Sequence, residues 1–352
     1  MKIIDCVIEN ISGLDYELMK KAQDRLDNLT KPQGSLGRLE ELAKIIVGIT
    51  RTASPELKNK VIFTLAADHG VAEENVSAYP REVTSQMVYN FIDCGAAINV
   101  LAKHVGARVV VVDIGVASDL KPHPKLMIKK INYGTKNIVK GSAMTKAEAE
   151  KSIETGISIF EEELKKGINI IGTGEMGIAN TTASSAITAL LTNKPPEEVT
   201  GRGTGIDDKV LENKIKIIKT ALKINRPNPR DPIDILSKIG GFEIGGLVGL
   251  ILAAASKRVP VVIDGFISGT AALIAYHLEP KTKDYMIASH CSVERGHKII
   301  LEHMGLKPIL DLDLRLGEGT GAALGINIID ASIKILTQMA TFKKAGVSEK
   351  TQ

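Results

Sequence analysis

Gly167-Ile-Asn-Ile-Ile-Gly172-Thr-Gly-Glu-Met-Gly177-Ile-Ala-Asn-Thr-Thr182 is the stretch that decides the fold, together with the segment leading into it. Thr145 and Glu148 have the spacing of a capping box, in which each side chain satisfies a free N–H at a helix start. Ala149, Ile153, Ile157, Phe160 and Leu164 then recur at helical spacing, and Gly167 ends the helix. A short apolar run, Ile168–Ile171, follows at once. The glycine-rich loop Gly172–Gly177 then leads into a helix with Asn180, Thr181 and Thr182 in its first turn. Helix, strand, glycine loop and helix make the repeating unit of an α/β protein, and the last three parts make an anion cradle. The loop carries no Walker lysine and departs from GxGxxG, so the pattern by itself predicts anion binding only in general.

Working outward, Val61–Ala66, Arg108–Ile114, Val259–Ile263 and Tyr285–Ala288 are similar apolar runs separated by helical patterns. Near-continuous apolar strands of this kind are buried on both faces. They predict a Rossmann-like parallel sheet with helices on both sides. Ligands of such sheets sit beyond the carboxyl ends of the strands. The chemistry-bearing loops fall there: Ala67-Asp-His-Gly70, Gly172–Gly177, Asp264-Gly265 and Ser289-His-Cys-Ser292. The helical ends of the chain predict a small lobe of residues 1–49 and 326–352 beside a large domain of residues 50–325.

With 352 residues, 44% of them hydrophobic and 24% charged, the chain can bury a large core. Its net charge of +4 and its 3% aromatic content leave no footprint for nucleic acid. Three cysteines without metal-type spacing point to a reducing, cytoplasmic setting. The apolar stretch Gly245–Ser256 is too short to span a bilayer, so no membrane partner is expected. Adjacent Asp68 and His69 diverge, and His290, His297 and His303 are spaced by seven and six. No metal and no cofactor is therefore expected.

Two more loops carry chemistry. Gly201-Arg-Gly-Thr-Gly-Ile-Asp-Asp208 precedes a helix capped by Asp207 or Asp208 and striped by Leu211, Ile215, Ile218 and Leu222. Lys214 falls on the edge of that stripe. It either snorkels to water or reaches a phosphate or ribose from the helix flank. Leu314-Arg-Leu-Gly-Glu-Gly-Thr-Gly-Ala-Ala323 places Glu318 between glycines where a loop enters a helix. A helix start offers N–H groups and partial positive charge to an anion. A pocket lined by glycine with two glutamates, Glu175 and Glu318, suits transfer at a sugar–phosphate carbon with one general base.

Ordered motifs along almost the whole chain resemble one family. They are Leu29-Thr-Lys-Pro-Gln-Gly-Ser-Leu-Gly-Arg-Leu-Glu40, Ala67–Val71, Val83-Thr-Ser-Gln-Met87, Gly172–Thr182, Thr200–Asp208, Gly240-Gly-Phe-Glu-Ile-Gly-Gly246, Asp264-Gly-Phe266 and Arg315–Ala322. The resemblance is to the nicotinate-nucleotide:dimethylbenzimidazole phosphoribosyltransferases of cobalamin lower-ligand synthesis. It implies a cytoplasmic homodimer that transfers the phosphoribosyl group of nicotinate mononucleotide to dimethylbenzimidazole or a related base. The products are α-ribazole phosphate and nicotinate, with inversion at the anomeric carbon. It further implies Glu318 as general base, with Glu175 beside it. Phosphate and ribose would lie at Gly177, Asn180, Thr181 and Thr182, at Gly203, Thr204 and Gly205, and near Lys214, Cys291 and Ser292. The base would lie at Ala78, Tyr79, Gln86, Met176 and Leu316. Where Gly-Asn is common in the family, this chain has Ala179-Asn180. A nucleotide-binding regulator and a hydrolase remain the alternatives, the latter with water in place of the base.

Overall fold

The computed structural model describes residues 2–348. Three helices, α1 (Ile3–Glu9), α2 (Tyr16–Asp27) and α3 (Arg38–Thr50), precede β1 (Lys60–Ala67). α4 (Val83–Ile92) and α5 (Ala97–Val105) lead to β2 (Ala107–Gly115) and the short β3 (Leu126–Ile128). α6 (Lys146–Leu164) returns to β4 (Ile170–Met176). Five helices separate β4 from β5 (Val261–Ile263): α7 (Asn180–Thr192), α8 (Pro196–Val199), α9 (Asp208–Asn225), α10 (Pro232–Ile239) and α11 (Phe242–Ser256). α12 (Phe266–Leu278) leads to β6 (Met286–Ala288). α13 (Arg295–Met304), α14 (Thr320–Gln338) and α15 (Phe342–Ala345) follow.

The strands pair in the order β3-β2-β1-β4-β5-β6, all parallel. β1 and β4 are neighbours in space but not in sequence, so the winding reverses between them. Loops at their carboxyl ends diverge and open a crevice at that point. Val61, Phe63 and Leu65 of β1, Ile171 of β4 and Val261 and Ile263 of β5 face one layer, in which α11 and α12 lie on the sheet. Ile62, Ala66, Ile170 and Val262 face the other, beneath α4, α5 and α14.

The capping box forms as expected: Thr145 Oγ1 accepts from Glu148 N, and Glu148 Oε2 accepts from Thr145 N. α6 then packs backbone to backbone on α11. A side chain at Gly156 would overlap the carbonyl of Gly246, and one at Gly249 would overlap that of Ile153. Gly245 faces Ser152 of α6 in the same way, whereas Gly241 makes room for His69 and for Glu243, which lies in the first turn of α11. α2, α3 and α14 pack together on the other layer, whereas α1 packs on α6 and α11. α14 is long and apolar enough to cross a membrane by length and composition. Here Ile326, Ile329, Ile333 and Leu336 sink it into the core.

Two expectations need correction. The strand expected at Ile168–Ile171 is Ile170–Met176, so most of the expected loop Gly172–Gly177 is strand. Gly172, Thr173, Gly174, Glu175 and Met176 pair in register with Ile62, Phe63, Thr64, Leu65 and Ala66. Glycine has poor strand propensity, but the ladder to β1 overrides it, and the absent side chains make room for what packs on that face. β3 is absent from the sequence-based expectation; three residues at a sheet edge carry too little pattern.

Candidate active site

Four strands deliver their carboxyl ends to one crevice. The loop Gly317-Glu318-Gly319 closes it from the α14 side. All three residues have positive φ, 86°, 63° and 98°. Glycine takes that conformation freely, but a glutamate held there is strained by about 1 kcal/mol. Contacts from two strands and from the residue after a third enforce it. Thr64 Oγ1 of β1 donates to the Glu318 carbonyl at 2.9 Å. Glu318 N donates to the Glu175 carbonyl of β4 at 3.2 Å. Gly174 lies so close under Glu318 that a Cβ there would overlap its carbonyl oxygen. After β5, Asp264 Oδ2 accepts from Gly319 N at 3.2 Å and Oδ1 from Ala322 N at 3.0 Å.

Asp264 changes the expectation for this helix start. The N–H groups that could have met a substrate anion are taken by the protein's own buried carboxylate. What the loop presents is the Glu318 side chain. It is buried, and its Oε2 accepts from Ile98 N at the start of α5, at 3.2 Å. Among the described residues no donor reaches its other oxygen. Burial pushes the Glu318 carboxyl above the usual range, against the pull of the Ile98 N–H. A carboxylate so placed is a stronger base than one in water.

Glu175, the next-to-last residue of β4, faces Gly317 through Oε1 and is hydrogen-bonded by Asn180 Nδ2. Burial first, then the charge of Glu243, pushes it up to about 8. Burial likewise pushes Asp264 to about 7, against its backbone N–H bonds. Gly177 lies between two pairs of side chains: a Cβ there would be 3.4 Å from Asn180 Nδ2 and 3.4 Å from His69 Cδ2. His69 Nε2 lies 2.6 Å from Glu243 Oε1, and both residues are buried. Sequence reasoning gave neither a role at the site. An acid inside a glycine motif was the available signal. Asp68 holds the adjoining loop, its Oδ2 accepting from Ala117 N at 2.8 Å. Ala179, beside Gly177, takes a left-handed φ of 73° as the N-cap of α7.

Lys214 departs from expectation. Helical spacing predicts an edge position, but the residue is fully buried on α9. Its Nζ donates to Thr181 Oγ1 at 2.7 Å, and Gly203 lies over it. Burial lowers its pKa to about 8, which Glu294 opposes. The α9 cap is Asp207, whose side chain accepts from Val210 N. Glu294, another residue missed from sequence, is buried and accepts from Gly203 N through Oε1 at 2.7 Å.

Thr204 joins this loop to the one after β1. Its Oγ1 accepts from Ala78 N at 2.9 Å and lies 3.1 Å from Ser77 Oγ. Thr84 Oγ1 accepts from Ile178 N and so ties α4 to the turn after β4. Of the residues expected around the base, Tyr79, Gln86 and Leu316 are exposed and Met176 is half-buried. Gly205 faces Arg315, so the 201–205 loop also meets the segment that leads to Leu316. Ser292 is buried and donates its N–H to His297 Nδ1 at 2.9 Å, while Cys291 is half-buried and bonded through its N–H to the Leu310 carbonyl. Burial pushes His290 down to about 4 and His297 to about 3. Among the described residues no group of three or more His, Cys, Asp or Glu is arranged to hold a metal ion.

The chain as a whole has counterparts among known proteins. The model of a phosphoribosyltransferase family matches residues 11–347. A nicotinate-nucleotide–dimethylbenzimidazole phosphoribosyltransferase of Chloroflexus aggregans is 56% identical over 352 residues, covering 100% of both chains. One of Desulforudis audaxviator is 55% identical over 349 residues, 99% of each. The crystal structure of the protein of that name from Thermus thermophilus superposes with a TM-score of 0.91 at 41% identity. It covers 96% of this chain and 100% of that one.

Proposed function

The chain belongs to this phosphoribosyltransferase family, and from that premise we propose that it transfers the phosphoribosyl group of nicotinate mononucleotide to dimethylbenzimidazole. One benzimidazole nitrogen attacks the anomeric carbon from the face opposite the pyridinium. The C–N bond to nicotinate breaks, and its electron pair returns to the pyridine ring, so the leaving group needs no acid. The configuration inverts, and α-ribazole phosphate and nicotinate result. As the first nitrogen bonds to carbon, the N–H on the second becomes acidic, and Glu318 takes that proton.

The observation that carries this reading is the Glu318 carboxylate. It is buried, raised in pKa, bonded through one oxygen and fixed by a strained backbone at the crevice. Glu175, raised to about 8, is a protonated donor at neutral pH and is assigned to the ribose with Asn180. Lys214, Gly177, Thr181, Thr182, Gly203, Gly205, Cys291 and Ser292 are assigned to the phosphate and ribose. Ala78, Tyr79, Gln86, Met176 and Leu316 are assigned to the base, and Thr204 bridges the two sets. The same proposal includes a cytoplasmic homodimer acting on small molecules, with no part for nucleic acid or membrane. It also includes a small lobe from residues 1–49 and 326–352 bracing a domain of residues 50–325, in which α2, α3 and α14 pack together while α1 lies apart on α6 and α11; residues 1 and 349–352 of that lobe lie outside the described residues.

The test mixes purified protein with nicotinate mononucleotide, with and without dimethylbenzimidazole, and follows both products. Base-dependent release of nicotinate and α-ribazole phosphate in equal amounts is expected. Release at full rate without base would make the protein a hydrolase.

A further inference from the structure

Glu294 lies between the turn after β6 and α13, and nothing in the transfer chemistry above uses it. It is 6% exposed. Its Oε1 accepts the N–H of Gly203, and its Oε2 is buried with no hydrogen-bond partner. The carboxylate presses on the glycine loop so closely that a Cβ at Gly201 would overlap Oε2. On the other side of Gly203, a Cβ would lie 2.9 Å from Thr181 Oγ1 and 3.3 Å from Lys214 Nζ. The Thr182 hydroxyl nearby is buried without a partner as well. A loop N–H, a buried ammonium and first-turn hydroxyls are the donors an oxyanion needs. In this molecule an internal carboxylate holds one of them, through a single bond and with an oxygen left unsatisfied. An unsatisfied buried oxygen is costly, so this contact is easily given up.

We infer that Glu294 is an internal stand-in for the substrate phosphate, displaced from Gly203 when the nucleotide binds, and that it sets how tightly the site holds that anion. The inference rests on the phosphate reading of the Lys214 cradle. Both substrate and product carry the phosphate, so an acid that competes for the cradle weakens retention of the product too. The sign is the distinguishing feature. Loss of an ordinary binding residue weakens binding, whereas loss of a competing like charge strengthens it. Glutamine at 294 keeps a carbonyl for Gly203 N and removes the repulsion.

The probe is inorganic phosphate as a competitive inhibitor of the full chain, with nicotinate mononucleotide and then nicotinate riboside as substrate. Glu294→Gln is expected to lower the phosphate inhibition constant about tenfold. It should also lower KM for the mononucleotide while leaving KM for the riboside, which has no phosphate, unchanged. Lys214→Met should raise the phosphate constant. An unchanged or raised constant in Glu294→Gln, with the lysine variant weakened, overturns the stand-in and leaves the phosphate reading intact. No response to Lys214→Met overturns the phosphate reading itself, and the inference with it. If Glu294→Gln does not fold, Glu294→Asp withdraws the acid by one methylene. It should shift the constant the same way by about threefold, and no shift there counts against the stand-in equally.

Discussion

Two glycine loops border the crevice, and each is held by a buried acid from a distant part of the chain. At Gly317–Gly319 the acid is Asp264, both of whose oxygens accept backbone N–H groups of the loop and of α14. At Gly201–Gly205 the acid is Glu294, with one bond and one oxygen unpartnered. A saturated carboxylate makes a clamp, and a half-satisfied one can let go. The first loop is thereby suited to hold a reacting group at a fixed position, and the second to exchange its acid for a ligand. Neighbouring side chains fit the same division. Glu318 on the clamped loop is held by contacts from two strands, while Gly203 on the other is sandwiched between a carboxylate and an ammonium.

Equal responses of the two acids would break this comparison. The largest effect is expected for Asp264→Ala, which leaves the first N–H groups of α14 buried without acceptors. It should lower unfolding free energy by about 3 kcal/mol, read from urea denaturation. Glu294→Gln should cost less than Asp264→Ala, because an acceptor for Gly203 remains, although Lys214 loses the charge that opposes its desolvation. Next comes Gly174→Ala. A methyl group there overlaps the Glu318 carbonyl and must push the clamped loop aside, so kcat should fall at least about tenfold. Gly13→Ala, where a Cβ meets nothing within 4 Å, should be indistinguishable from the parent in the same assay.

A modest effect is expected on the pH dependence of stability. Glu175 and Asp264 have folded pKa values of about 8 and about 7, against roughly 4 unfolded. The folded state therefore holds protons that the unfolded state has released, and stability falls as pH rises between those limits. His290 and His297, at about 4 and about 3, are neutral when folded but take up protons below roughly pH 6.5 when unfolded. Their contribution falls as pH drops. The two trends oppose each other in mild acid, which leaves a net loss between pH 6.5 and 8 on the order of 1 kcal/mol. Urea titrations at pH 6.5 and 8 measure it; a protein more stable at pH 8 contradicts the burial argument. Asp264→Asn should flatten this slope.

The same contrast marks what the sequence made legible. Strands at Val61–Ala66 and Arg108–Ile114 were visible because both of their faces are buried and nearly every residue is apolar. β4 was misplaced because its glycines and Glu175 look like loop. Only the register with β1 makes them strand. Glu318 stood out through its flanking glycines, a local signal. Asp264 was visible as a strand-end acid but not as a clamp, since its partner Gly319 lies 55 residues away. Glu294 gave no signal at all, because Gly203 is 91 residues distant. Helical spacing put Lys214 near a buried face, but the Gly203 loop that covers it is a tertiary feature. Local chemistry can be read from spacing; which acid holds which loop cannot.

The most direct test of the account is turnover of Glu318→Gln with saturating nicotinate mononucleotide and dimethylbenzimidazole. The substitution keeps the size of the side chain and its acceptor for Ile98 N while removing the proton acceptor. A fall in kcat of about 100-fold or more, with KM for the mononucleotide nearly unchanged, is the predicted result. Turnover near that of the parent protein would contradict it and take the proton from the attacking base to some other group.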